Sequence, residues 1–328
     1  MGPRVRTFDL RSSLDISFRQ RGRARLLNTN ITPLRKTALN NELAVQVLLI
    51  AGGGGGGGKV NLVNGGGGGG GAGGVAYFED NWLLTTITDG TDDPADFVMN
   101  IVVGAGGAKA SGSSGSFGSA GAGSSIEDGS GAVYFVQADG GGGGGSSNIA
   151  GRSGGSGGGG GGSSVASRAG GPISLNGFCC PPSYDGTTDL YGGSGGAGQT
   201  ASPYRGGGGG GGGGTGATGS ASGAGGAGYS FNGTTYSTGG KGASVGVGSV
   251  DGTINSGNGG DGAAPDVVAT GGNGGSGIVI ISYAGPPVVR YGLSSNGSNY
   301  GEMYTAAGRT YHVFKASGQF YMGDFVSL

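Results

Sequence analysis

Gly53-x4-Gly58-Lys59 follows an apolar run and imitates a phosphate-binding loop. The imitation fails in its chemistry. Val60 stands where a Ser or Thr hydroxyl should hold magnesium, and Asn61-Leu62-Val63-Asn64 leads to more glycine instead of a helix. Gly192-Gly193-Ser194-Gly195-Gly196 has nucleophile-elbow spacing. The single histidine, His312, sits in a strand-like run without an acid partner, so it reads as a packed or surface residue and no Ser-His-acid set is expected. Asp89, Asp92, Asp93 and Asp96, near Glu79 and Asp80, offer calcium-type oxygens, but their spacing fits no standard loop and reads as a solvated acidic turn. Cys179 and Cys180 are adjacent and, with one histidine, cannot close a zinc site within one chain. No catalytic, metal or cofactor-binding residue is expected, and the reading is of a chain that is not an enzyme.

Binding is the chemistry that the remaining residue types suit. Aromatic segments interrupt glycine tracts: Tyr77-Phe78-Glu79-Asp80-Asn81-Trp82 holds the single tryptophan, and Phe178 to Tyr184 is stiffened by Pro181 and Pro182. Tyr204, Tyr229, Phe231 and Tyr236 lie in similar settings. Tyr and Trp supply contact area with few rotors, and loops on a rigid scaffold commonly carry recognition. These aromatics are expected either to meet a receptor or to seal the edges of a glycine bundle and pack between subunits.

Charge marks a second surface. Residues 1–36 hold nine of the 18 basic residues against two acids, with Arg4, Arg6, Arg11, Arg19, Arg21, Arg23 and Arg25 leading, while the remainder is acidic. A basic head suits nucleic acid, a membrane surface or an acidic protein face. It carries no base-reading motif, so nucleic acid is not expected. Docking onto other proteins of a larger assembly is the expected use.

These residues must be positioned by a chain in which 91 of 328 residues are glycine. Uninterrupted blocks occur at Gly52–Gly58, Gly65–Gly71, Gly140–Gly145, Gly157–Gly162 and Gly206–Gly214. Glycine loses more conformational freedom on folding than any other residue. The blocks are therefore either flexible linker or a structure that only glycine can build. Between them stand apolar runs, Val45–Ile50, Phe97–Val103, Val133–Gln137 and Ile278–Tyr283, for which a disordered chain has no use. The ordered alternative is polyglycine in a three-residue-per-turn helix, with its amides satisfied by neighbours and no room for a Cβ. The fold class expected is mainly β with polyglycine-II helices, a glycine-rich sandwich of short strands and packed tracts with little α-helix.

Three segments follow: a basic attachment arm at 1–44, a glycine-rich body at 45–283 and a tail at 284–328. The arm is expected to hold short strands at Phe8–Leu10 and Leu14–Phe18 and a helix from Thr32 to Leu43. In the tail, Thr310–Phe314 and Gln319–Met322 flank Lys315–Gly318 as the strands of a hairpin. No apolar run is long enough for a membrane span, and the start lacks the apolar core of a secretory signal.

VQVLLIAGGGGGGG, then GGGGGGGAGG, a strand closing on IVVGAGG, Gly-Ser tracts with an internal SFGS, and finally GGSGIVIISY together resemble the glycine-rich domain of bacteriophage tail fibres and fibre-tip adhesins. The resemblance covers about residues 45–283. It implies a virion protein of fibre structure or host-surface attachment, a cell-surface receptor and a homo-oligomer, a trimer by analogy. GRTYHVFKASGQFYM resembles a hairpin that precedes such domains, yet here it follows the body, and Thr310–Met322 is expected to complete a sheet in cis or in a neighbouring subunit. A capsid decoration or fibre-shaft subunit, and a cell-wall or extracellular glycine-rich structural protein, are the alternatives.

Overall fold

Val45–Ile50 is β-branched and leucine-rich, and nearly every one of its residues is buried, as suits a strand covered on both faces. The computed structural model describes residues 45–59, 65–80, 98–111, 116–128, 134–164, 168–174, 189–220, 223–266, 270–285 and 301–321. The elements in chain order are β1 (Val45–Ile50), β2 (Val75–Asp80), β3 (Val98–Val102), β4 (Ser124–Asp128), β5 (Tyr134–Ala138), β6 (Asp189–Tyr191), β7 (Tyr229–Phe231), β8 (Thr234–Tyr236), β9 (Ile278–Ala284), β10 (Gly301–Ala306), β11 (Arg309–Phe314) and β12 (Gly318–Tyr321). The described residues are mainly β-sheet and irregular chain, and contain no helix. The strands and helix expected in residues 1–44 lie outside them.

A six-stranded sheet runs β10-β11-β9-β1-β2-β6, a second runs β12-β3-β4-β5, and β7 pairs with β8 alone. The expected runs at 45–50, 97–103, 133–137 and 278–283 all appear as strands, shifted by a residue or so at their ends. One face of the large sheet carries Val47, Leu49, Phe78, Ile281, His312 and Phe314 and packs on Met99, Ile101, Ile126, Val136 and Phe320 of the second, all buried. Phe320 meets His312 edge-on at 5.2 Å between ring centres and Phe314 at 6.2 Å.

The tail pairs differently from the expected hairpin. β11 lies between β10 and β9 in the large sheet, whereas β12 crosses to pair with β3 in the other. Lys315–Ser317 is thus a bridge between sheets. The physical reason is in the side chains: His312 and Phe314 extend the inner face that Ile281 and Val279 of β9 begin, while Phe320 is needed opposite them to close the sandwich. The tail completes both sheets in cis.

The central strands continue into glycine. β1 runs into tract 51–58 and β2 emerges from tract 65–74, and their ladder carries on past Ala51, with Ala51 donating to Gly74, Gly54 to Gly71 and Gly57 to Gly68. Only every third amide now follows that partner. Gly52, Gly55 and Gly58 donate to Ala122, Ser119 and Ser116, and Gly53 and Gly56 donate to Gly275 and Gly272. The carbonyls obey the same rule toward other tracts: Gly52 and Gly55 accept from Gly141 and Gly144, Gly53 and Gly56 from Gly107 and Ala110, Gly54 and Gly57 from Gly260 and Ala263. Tract 51–58 therefore has six hydrogen-bonded neighbours, and tract 65–74 has six of its own by the same pattern.

This explains where glycine is obligatory. A Cβ on any of Gly52–Gly57 or Gly67–Gly71 would come closer than 3.0 Å to a neighbour's carbonyl oxygen. The backbone angle is not the cause, because none of these residues has positive φ. At the rim of the bundle one direction is open, and side chains return at every third place: Thr238, Lys241 and Ser244; Asn255, Asn258 and Asp261; Thr270, Asn273 and Ser276. Several replace a missing neighbour. Asn258 accepts from the Thr238 amide at 2.8 Å, Asp261 from that of Lys241 at 2.8 Å and Asn273 from that of Lys109 at 3.0 Å. Ordering each glycine costs ~1–2 kcal/mol and each bond returns only ~0.5–1.5. The strands that begin and end the tracts supply the apolar burial that offsets the difference.

Candidate binding surface

The outer face of the large sheet follows from its register. Tyr304, Tyr311, Ser282, Gln46 and Glu79 stand opposite one another across five strands. The next row is Glu302, Val313, Ile280, Leu48, Tyr77 and Asp189, and beyond it lie Ile278, Ile50, Val75 and Tyr191. The apolar rows are buried, with the β7–β8 hairpin packing Tyr229, Phe231 and Tyr236 onto them beside Tyr77 and Tyr191. Asn232 and Gly233, with φ of 48° and 77°, form the hairpin's tight turn.

The rings form a connected cluster. Tyr191 and Tyr229 lie 4.8 Å apart, Tyr229 and Tyr77 6.4 Å, and Tyr77 and Phe231 5.8 Å. Farther along the sheet Tyr304 stacks on Tyr311 at 4.9 Å and is 47% exposed. A polar track edges the rings. Arg309 donates to the Ser282 hydroxyl, that hydroxyl to Gln46 Oε1, and Gln46 Nε2 to Glu79 at 2.8 Å. Tyr77 donates its hydroxyl proton to the same carboxylate, and Tyr191 donates to Asp189 at 3.2 Å. Burial foremost, then the Glu79 carboxylate, pushes the Tyr77 phenol above its usual range. Burial likewise raises Tyr191, Tyr229 and Tyr304. All these hydroxyls stay protonated at neutral pH and remain donors.

At one end of the cluster a cleft of ≈ 430 Å³ opens between Tyr191, Tyr229 and the backbone of Gly192–Gly193 and Gly212–Gly214, with the exposed Thr215 and Ser230 also in its lining. Of the residues expected to meet a receptor, the fold brings Tyr77, Tyr229, Phe231 and Tyr236 together on this face. They sit on strands, not loops. Phe78 is the exception: alternation along β2 turns it inward, where it is 1% exposed, so it packs the sandwich and is not available at the surface. Tyr204 lies apart, half-buried at positive φ beside tract 206–212. Trp82, Phe178 and Tyr184, the acidic run Asp89–Asp96, the cysteine pair and Arg4, Arg6, Arg11, Arg19, Arg21, Arg23 and Arg25 lie outside the described residues. Tyr191 stands on a strand of only three residues, which gives no periodic signal in the sequence. The β7–β8 hairpin had one, Asn-Gly between Tyr229–Phe231 and Thr234–Tyr236.

The phosphate-loop imitation has a structural answer too. The amides of Gly52–Gly58 all donate to neighbouring carbonyls, leaving none to cradle a phosphate, and the Lys59 ammonium donates to the Pro265 carbonyl. Among the described residues no group of three or more His, Cys, Asp or Glu stands close enough to hold a metal ion.

A family model described as a glycine-rich domain matches residues 35–284. The chain belongs to this glycine-rich domain family. No curated protein matches the chain. The glycine-rich domain ends where β9 ends, so β10, β11 and β12, which complete both sheets, follow the matched region. Its first and last strands, β1 and β9, are neighbours at the centre of the large sheet, Ile50 opposite Ile278. No helix among the described residues is long and apolar enough to cross a membrane.

Proposed function

We propose that the chain is a non-enzymatic bacteriophage virion protein, a tail fibre or fibre-tip adhesin that attaches the particle to its host, and that its glycine tracts are polyglycine-II helices forming a stiff display platform. The observation that carries this reading is the threefold partner rule. Three residues per turn is the geometry in which successive amides aim at three different neighbours, and it needs no positive φ. The sequences that resemble phage fibre domains are the strands and tracts that open and close this bundle. Residues 1–44 attach the protein to other virion proteins, copies assemble as a homo-oligomer, and the aromatic face and the segments linking the strands meet a cell-surface receptor. An architectural role, fibre-shaft or decoration, is the second reading, because Tyr77, Tyr229, Phe231 and Tyr236 pack on the core cluster and would seal the sheet without any receptor.

Mass spectrometry of purified particles and competition of adsorption by the purified chain test the proposal. Stoichiometric presence with blocked adsorption is expected. Presence without competition leaves the architectural role, and absence from particles removes both.

A further inference from the structure

The cleft beside β6 has a composition that selects a ligand class. Its lining combines the rings of Tyr191 and Tyr229, glycines that carry no side chain (Gly192, Gly193, Gly212, Gly213, Gly214 and Gly228) and the exposed Thr215. Asp189, exposed and bonded to the Tyr191 hydroxyl, adds a carboxylate beside the opening. None of the described residues lining the cleft is Lys or Arg. We propose that this cleft binds one or two rings of a neutral saccharide, a reading that deepens the attachment role and rests on it for its biological setting.

The chemistry runs as follows. A tyrosine face carries the negative end of the ring quadrupole, and the axial C–H bonds of a pyranose present the complementary positive edge. Sugar hydroxyls are donors that the Asp189 carboxylate and the Thr215 hydroxyl can meet, with Asp189 fixed by Tyr191 before binding. An anionic sugar or phosphate would face Asp189, with Glu79 farther along the same sheet face, and find no cation in the cleft. The volume falls in the ~300–1,000 Å³ range of small-ligand sites. A peptide adding to the sheet edge is the competing occupant, but β6 has only three residues and offers few ladder bonds.

Affinity electrophoresis of the full chain in gels containing dextran, yeast mannan or laminarin, with polygalacturonate as the acidic comparison, decides the matter. At least one neutral polymer should retard the protein, and polygalacturonate should not. Tyr229→Ala should weaken retardation at least tenfold. Because Tyr229 also packs on the core, Thr215→Trp is the second variant: it narrows the cleft from an exposed lining position, and should abolish retardation with an unchanged melting temperature. No retardation by any neutral polymer, equal retardation by polygalacturonate, or indifference to Thr215→Trp overturns the proposal. Particle-bound protein that blocks adsorption yet ignores all three neutral polymers would leave attachment standing and remove the saccharide. Retardation by a neutral polymer of a protein absent from particles would do the reverse.

Discussion

Gly54 donates its amide proton to the Gly71 carbonyl at 2.7 Å, joining tracts 51–58 and 65–74 by the same antiparallel relationship that pairs β1 with β2. Strand pairing and glycine packing are one continuous ladder, read in two geometries. In the strand the chain has a neighbour on either side, and its side chains fill the faces. In the tract it has neighbours in every direction, and there is no face left to fill.

Substitution should therefore cost according to place in the bundle. Gly54→Ala sets a methyl group against the Gly142 carbonyl, and backbone cannot step aside as a flexible side chain can. We expect a loss of at least about 3 kcal/mol, or failure to fold, measured by urea unfolding. Ala105→Ser, at an exposed rim position, should stay within about 0.5 kcal/mol. Equal effects at both sites would show that the tract is not enclosed.

How much of this was legible in the sequence depends on period. Val45–Ile50 and Ile278–Tyr283 are short apolar runs bounded by glycine, and such runs declare strands without help from the rest of the chain. The choice between order and looseness in the tracts was visible as a choice, but the neighbours that decide it are far away: Gly53 bonds to Gly275, and no local pattern pairs them. The rim tracts do carry a readable signal, a side chain at each third residue from Asn255 to Asp261 and from Thr270 to Ser276. The tail misled because adjacent strands usually pair, and only the need for Phe320 opposite His312 sends β12 to the other sheet.

Two tight turns with similar backbones carry different residues. Asn232-Gly233 is the preferred pair for two successive positive φ angles, while Ala307-Gly308 places an alanine at φ 50°. Alanine lacks the short polar side chain that eases this conformation. Ala307→Asn should raise stability by roughly 0.5–1 kcal/mol, seen as a higher urea midpoint with unchanged slope. No gain would mean that the β10–β11 turn tolerates alanine without strain.

Hydrogen exchange separates solid tracts from loose ones. Amides of Gly53–Gly57 and Gly67–Gly73 are buried and bonded, so their exchange should follow global unfolding and be slower than that of the exposed Gly248 by several orders of magnitude. Glycine-resolved NMR or mass spectrometry would report this directly. Exchange at random-coil rates in the blocks would dismantle the display platform.

His312 links acid to the closure of the sandwich. It is fully buried, its Nε2 lies 3.1 Å from the Tyr283 hydroxyl, and Phe320 of β12 packs edge-on against it. Burial lowers its pKa from 6.5 to about 4. Between those values the unfolded chain binds a proton that the folded chain refuses, so stability is full above pH 6.5 and falls as pH drops toward 4, by up to about 1.4 kcal/mol per pH unit. Below pH 4 this group adds no further loss. Unfolding measured at pH 7.5 and pH 4.5 should show His312→Gln less acid-sensitive than the parent by about 2–3 kcal/mol, the subtraction cancelling the carboxylates common to both. Truncation at residue 308 removes β11 and β12 together and should abolish folding at any pH, since it strips an interior strand from one sheet and the edge from the other. Identical acid profiles for parent and His312→Gln would mean that the imidazole takes up its proton without opening the sandwich.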